Sequence, residues 1–166
     1  MGAPARRLRK TLEITVEPRG RIYNDLIYRA FPWCAELLLV VVPLPDGGDP
    51  LLPSGRRVLA ELEPFLRVAA DEREWPGTRL EGGATGRVHR YTLHPEVLDV
   101  VSSMTDHLYG WCPPDLPQDI ALLRGDGSPF LATVTQEGWA ALTLDDDERQ
   151  VLSGDFPELG LRDLWS

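Results

Sequence analysis

The chain has 166 residues, a hydrophobic fraction of 43% and a formal charge of −9. This length and composition are typical of one globular domain with a buried core, and they exclude a disordered chain. The negative balance disfavours nucleic acid and anionic membrane surfaces as partners of the folded body, because like charges repel. It favours either a basic protein partner or high solubility alone.

The chain begins with a basic stretch that contains no acidic residue. Its cations are Arg6, Arg7, Arg9 and Lys10. We expect a mobile basic arm over residues 1–10 and a single α+β domain over residues 11–166. The arm lacks the apolar run of a secretory signal, and the longest apolar run, residues 35–44, is too short to cross a bilayer. Two cysteines without metal-type spacing are typical of a reduced, cytoplasmic protein, and no cofactor is expected.

The first half of the domain predicts two strands and two helices. Residues 11–17 alternate apolar and polar side chains, as a half-buried strand does. Residues 21–31 have helical apolar spacing and end before a proline. Residues 36–43 are apolar on both faces, so we expect a central strand that is covered on each side. Ser54 is placed to cap a helix over residues 55–67.

The middle of the chain predicts a hairpin and a further helix. Residues 69–77 are charged and irregular. Two strand patterns, residues 78–80 and 87–93, flank a glycine-rich turn at residues 82–86. These glycines do not form a dinucleotide-binding motif, because a strand follows where a helix is required. A helix is predicted over residues 95–109, since a proline stands at its first position.

Residues 109–144 are the most strongly patterned part of the chain. A stiff loop with three prolines leads into three strands, residues 120–124, 130–135 and 139–144, which predict an antiparallel meander. Acidic residues 145–148 then begin a short helix, where negative charge complements the helix dipole. The sequence therefore predicts an α+β fold: a mostly antiparallel sheet of about six strands, with three to four helices packed on it.

The same stretch resembles a known pattern. A tryptophan, the segment Pro114-Asp115-Leu116-Pro117, Asp119, a strand, a Gly-Asp-Gly turn, a second strand and Glu137 follow one another in order. This order is similar to a W-x-x-P-D-L-P-E-D-L segment followed by a strand meander, found in small uncharacterised bacterial proteins that share a domain of unknown function. Three positions have Gln, Ile and Gln where that pattern has Glu, Leu and His: Gln118, Ile120 and Gln136. The resemblance implies a fold for this stretch, and the family carries no activity to transfer.

The acidic residues of the second half are the candidate binding residues. From residue 91 onward, 14 acidic residues face only three arginines. An acidic surface steers a basic partner into contact. We therefore predict a protein-binding module, of inhibitor or immunity type, that recognises a basic partner. The predicted binding residues are Asp115, Asp119, Glu137, Trp139, Asp145, Asp146, Asp147 and Glu148. The alternative for these acids is structural: to cap a helix or pin a loop.

Two other functions stay open. Cys112 and His107, with Asp106 or Asp115 as an orienting group, offer a nucleophile and a base for a small hydrolase or transferase. This enzyme requires a concave pocket with a perturbed titratable group beside the cysteine or the histidine. A third possibility is a small-ligand-binding module whose pocket is lined by three aromatic residues: Tyr23, Trp33 and Trp111. No catalytic residue or metal ligand is assigned, because the histidines lack the spacing of a metal motif.

Overall fold

The computed structural model describes residues 7–164, which form four helices and ten strands. The helices are α1 (Arg21–Ala30), α2 (Pro53–Leu62), α3 (Pro95–Met104) and α4 (Asp146–Asp155). The first five strands are β1 (Lys10–Glu13), β2 (Glu36–Val41), β3 (Leu66–Glu72), β4 (Glu74–Trp75) and β5 (Thr78–Arg79). The other five are β6 (Gly86–Thr92), β7 (Gln118–Leu123), β8 (Pro129–Val134), β9 (Trp139–Leu144) and β10 (Arg162–Asp163).

Eight of these strands form one sheet in the order β10-β1-β9-β8-β7-β2-β6-β3, and β4 and β5 form a separate hairpin. Every neighbouring pair in the large sheet is antiparallel. The predicted α+β class, the antiparallel sheet and the meander are confirmed. The predicted count of about six strands is wrong, because the edge strands β3 and β10 add to the sheet.

One face of the sheet carries the main core. Leu12, Leu142, Leu131, Leu122 and Leu37 are successive cross-strand neighbours across five strands, and all are buried. Apolar residues of all four helices belong to the same cluster, so the helices cover this face. Full burial of a leucine contributes about 1.5–3 kcal/mol, so this row is a large part of the stabilisation.

The opposite face is covered in its middle by the β4–β5 hairpin. Leu38 and Val40 of β2 alternate with the helix-facing residues and pack against Trp75 of β4, with Leu80 beside them. Both faces of β2 are therefore buried, and the predicted central strand is confirmed. Because the hairpin is short, it leaves the ends of this face open.

The hairpin differs from the predicted one. Residues 78–80 were expected to pair with residues 87–93 around the glycine-rich segment. Instead β5 pairs with β4 across Pro76-Gly77, and β6 pairs with β2 and β3. Gly77 has a φ of 88°, which suits the third position of a turn whose second residue is proline. Residues 69–72, expected to be irregular, complete the edge strand β3.

Two helices end earlier than predicted. α3 stops at Met104 rather than near residue 109, because Thr105 is extended. His107 therefore lies beyond the helix, in a segment bridged to Arg19. α2 stops at Leu62 rather than residue 67, two residues before a proline.

The starts of α2 and α3 use different residues. Ser54 lies inside the first turn of α2 and does not cap it, because the helix begins at Pro53. His94 caps α3: its Nδ1 accepts the backbone N–H of Glu96 at 3.1 Å. A proline at the first helical position is common to both helices, as its missing N–H costs nothing there.

Residues 1–6 of the predicted arm lie outside the described residues. Within the rest of it, Arg7 pairs with Asp147, Arg9 pairs with Asp126, and Lys10 is the first residue of β1. None of the helices in the described part of the chain is long and apolar enough to cross a membrane.

Candidate functional site

A groove of about 670 Å³ lies at one end of the sheet, where β2 and β8 end and β7 begins. We call it the proline groove, after five residues of its lining: Pro43, Pro45, Pro50, Pro113 and Pro114. Its volume is typical of a ligand site, and its walls are mainly apolar. Because proline restricts the backbone, these walls are rigid before any ligand arrives.

Asp119 joins the two sides of the proline groove. It has a left-handed φ of 57° and is only 1% exposed. Its Oδ1 accepts the Thr135 backbone N–H at 3.1 Å, and its Oδ2 accepts the Trp75 Nε1–H at 2.9 Å and the Gln118 amide at 3.2 Å. The expectation that this carboxylate pins loops is confirmed. Since its oxygens are occupied by internal donors, Asp119 builds the groove and does not offer a free charge to a partner.

The hairpin is fixed to the meander at its tip. Gly77 lies so close to β8 and β9 that a Cβ there would come within 3.1 Å of Val134 Cγ2 and 3.3 Å of Trp139 Cζ3. Trp139, predicted as a binding residue, is half-buried, and its ring lies against this tip. The groove is thus bounded by a hairpin that is held both at Trp75 and at Gly77.

Two charged side chains of the groove make no ion pair with any described residue. Glu137 lies in the short turn after β8 and is exposed; Arg79 lies in β5 and is exposed. Glu74 stands opposite Arg79 in the hairpin register without forming an ion pair with it. A mainly apolar groove with one free carboxylate and one free guanidinium is suited to binding polar groups of both signs.

A second concavity, of about 480 Å³, contains both Cys112 and His107, together with Asp115. Pro113 belongs to both concavities, so they are neighbours. His107 Nδ1 lies 2.8 Å from Asp106 Oδ1. The pocket that an enzyme of this type requires therefore exists, and Asp115 is exposed at its margin.

The electrostatics of this second concavity oppose a nucleophilic cysteine. Burial raises the pKa of Cys112, and the charges of Asp119 and Asp115 raise it further. A reactive cysteine needs the opposite, because the thiolate is the nucleophile. The hydrogen bond from His107 lowers the pKa of Asp106, which fits an orienting carboxylate but does not activate the thiol.

The remaining predicted acids lie at the far end of β9. Asp145 caps α4 through the Glu148 backbone N–H at 2.8 Å, and the Glu148 side chain accepts the Asp145 N–H in return. Glu148 also binds Arg124 through two contacts, of 2.7 and 2.9 Å, and both side chains are buried. Asp146 and Asp147 are exposed, and Asp147 pairs with Arg7. We call this group the α4 acidic turn. The six residues of β9 separate it from the groove by roughly 20 Å.

The three aromatic residues proposed for a ligand pocket do not form one among the described residues. Tyr23 and Trp111 are fully buried, and the Trp111 Nε1–H donates to the Tyr23 hydroxyl at 2.8 Å. That hydroxyl in turn donates to the Val101 carbonyl. Trp33 lies elsewhere, 5.7 Å from the Phe130 ring. Tyr23 and Trp111 are core residues.

Sequence reasoning missed Arg79 and Trp75, the hairpin residues of the groove. The signal was the pair Pro76-Gly77, which predicts a tight turn between two short strands. Its neighbours on either side then form the hairpin. Within the described range, no group of three His, Cys, Asp or Glu side chains is arranged to hold a metal ion.

Comparison with protein-family models, with curated proteins and with solved structures finds no match to this chain. The resemblance of residues 109–144 to the bacterial pattern therefore stays a prediction.

Proposed function

We propose that the protein is a protein-binding module that holds a basic segment of its partner in the proline groove. The observation that carries this proposal is the exposed Glu137 carboxylate, which lines a rigid, mainly apolar groove and forms no ion pair with any described residue. Asp115, also exposed and without an ion pair among the described residues, lies just beyond the shared Pro113. A basic side chain of the partner can pair with these carboxylates, and apolar residues beside it can pack against the apolar walls of the groove.

The charge of the whole chain supports the same partner. A net charge of −9 raises the encounter rate with a basic protein, and it disfavours nucleic acid and anionic lipid. We place the module in the cytoplasm, as an inhibitor or immunity-type protein that captures a basic partner. The proposal gives a role to Glu137 and Asp115, whereas it treats Asp119, Asp145 and Glu148 as structural.

The enzyme alternative has less support. It has a pocket with Cys112 and His107, but the raised pKa of Cys112 keeps the thiol protonated.

A peptide titration tests the proposal. Capped octapeptides of alanine and proline, with or without a central arginine, are added while the indole resonances of Trp75 and Trp139 are followed by NMR. We expect the arginine peptide to shift these resonances, and Glu137→Gln to weaken its binding about three- to tenfold, since one charged contact is lost. Glu158→Gln is the matched control, because Glu158 is exposed, unpaired among the described residues and outside the groove. Equal binding of the neutral peptide, or no effect of Glu137→Gln, would contradict the proposal.

A further inference from the structure

The arginines of this chain are almost all paired with carboxylates. Every arginine in the described range makes an ion pair, except for two: Arg73 and Arg79. Both exceptions belong to the hairpin region, and both are exposed. Only Arg79 lines the proline groove. An acidic protein has ample carboxylates to pair with it, so this free guanidinium stands out from the rest of the surface.

Resting on the proposed function, we infer that the groove selects a dipolar segment: a glutamate or aspartate side chain of the partner binds Arg79 while a basic side chain binds Glu137. A guanidinium and a carboxylate form paired, parallel hydrogen bonds, which makes arginine selective for this group. The two protein charges are opposite, line one groove and do not pair with each other. A segment with both charges neutralises both, whereas a purely basic segment leaves Arg79 without a counter-charge and close to a like charge.

The fixed backbone that carries Arg79 supports this role. It lies in β5, directly after Thr78, whose register partner is Trp75. Trp75 is held by its hydrogen bond to Asp119, and the hairpin tip at Gly77 is held against the meander. The backbone that carries Arg79 is therefore fixed at two points. A fixed backbone lowers the entropy that must be lost when the guanidinium engages a partner.

Glu74 is the cross-strand register partner of Arg79, and it does not pair with it. The two residues face each other across the hairpin, yet their charged groups form no ion pair. A partner carboxylate in the groove can therefore bind Arg79 without displacing an internal one.

Four capped octapeptides of alanine and proline test the inference: one neutral, one with arginine, one with glutamate and one with both. Capped ends ensure that only side chains carry charge. We expect the dipolar peptide to bind about three- to tenfold more tightly than the arginine peptide, since it gains one guanidinium–carboxylate contact. Arg79→Gln should remove that difference without weakening the binding of the arginine peptide. Arg73→Gln is the matched control and should change neither affinity; Arg79→Lys should keep part of the gain.

The outcomes separate this inference from the proposed function. Equal affinities of the dipolar and arginine peptides, with no effect of Arg79→Gln, would overturn the dipolar selection and leave the basic-segment site standing. Binding of the glutamate peptide alone, abolished by Arg79→Gln, would overturn the basic-segment site. If no peptide shifts the Trp75 and Trp139 resonances, both are wrong. If each variant unfolds at the same temperature as the unsubstituted protein, a change in its peptide affinity is not caused by a loss of the fold.

Discussion

The α4 acidic turn and the proline groove lie at opposite ends of β9, and both contain acidic residues, yet these carboxylates differ in their partners and exposure. At the α4 end, Asp145 and Glu148 are buried and fully engaged by backbone N–H groups and by Arg124. At the groove end, Asp119 is engaged in the same way, but Glu137 and Arg79 are exposed and unpaired among the described residues.

This difference shows that acidity alone does not mark a binding surface. A carboxylate whose lone pairs are taken by internal donors contributes to stability, because removing it leaves those donors unsatisfied in the interior. An exposed carboxylate without an internal cation contributes little to stability and is available to a partner. The two ends of β9 can therefore be told apart by which property a substitution changes, stability or binding.

The largest expected effect is at the α4 end. Glu148→Ala leaves the buried Arg124 guanidinium without its carboxylate, and breaking such a pair costs about 3–5 kcal/mol. Urea unfolding measures this loss, and peptide binding to the groove should not change. Asp147→Ala is the control, since its pair with Arg7 is exposed and contributes less than about 1 kcal/mol. Equal losses in the two variants would show that the buried pair is not the stabilising one.

The next effect is at the groove end. Asp119→Ala removes the acceptor of the Trp75 indole N–H and of the Thr135 backbone N–H, so we expect a loss of about 2–3 kcal/mol. Unlike Glu148→Ala, it should also weaken peptide binding, because Trp75 positions the hairpin. Asp119→Asn keeps one acceptor oxygen, so its stability and peptide affinity should lie between those of Asp119→Ala and the unsubstituted protein. Glu137→Ala should leave stability within about 0.5 kcal/mol of the unsubstituted protein. If Asp119→Ala kept the full peptide affinity, the position of the hairpin would not determine binding in the groove.

The smallest expected effect is a difference in reactivity between the two cysteines, one of which lies beside each region. Burial raises the pKa of Cys34 to about 12, beside Arg124 and Glu148, and burial also raises the pKa of Cys112, beside Asp119 and Asp115. Because only the thiolate reacts, alkylation of both should be slow at pH 8 and should accelerate as pH rises toward each pKa. We expect Cys112 to react faster than Cys34, and mass spectrometry of the labelled peptides measures the two rates. Faster labelling of Cys34 would mean that the α4 end opens more readily than the groove.

The elements that could be predicted from the sequence are those whose signal is local. The short apolar segments of the meander, which are separated by turn residues, and the apolar run of β2 identify strands without any knowledge of their neighbours. The acids before α4 similarly indicate its capping box. The edge strand β3 was missed because its residues are half-exposed and charged, so no apolar period marks them. Partner choice in the sheet depends on the whole fold, and it decided that β6 pairs with β3 and not with β5.

The candidate site was predictable only in part, for the same reason. Asp119 and Glu137 were named from the sequence, and they do meet in one groove. The sequence could not show that one is buried and the other free, since that depends on donors from Trp75 and Thr135, which are distant in the chain from Asp119. Arg79 could not be singled out from the sequence, because the fold decides which arginines form ion pairs.

The position of β1 has a consequence for synthesis on the ribosome. Lys10 pairs opposite Leu144, and Leu12 pairs opposite Asp163, so both partners of this strand emerge more than a hundred residues later. β1 must therefore wait, with its backbone N–H and C=O groups not yet paired by these strands, until β9 and β10 have left the exit tunnel. Such long-range closure is slow compared with local pairing. The meander, whose strands follow one another directly, can form first and present β9 as the template on which β1 completes the sheet.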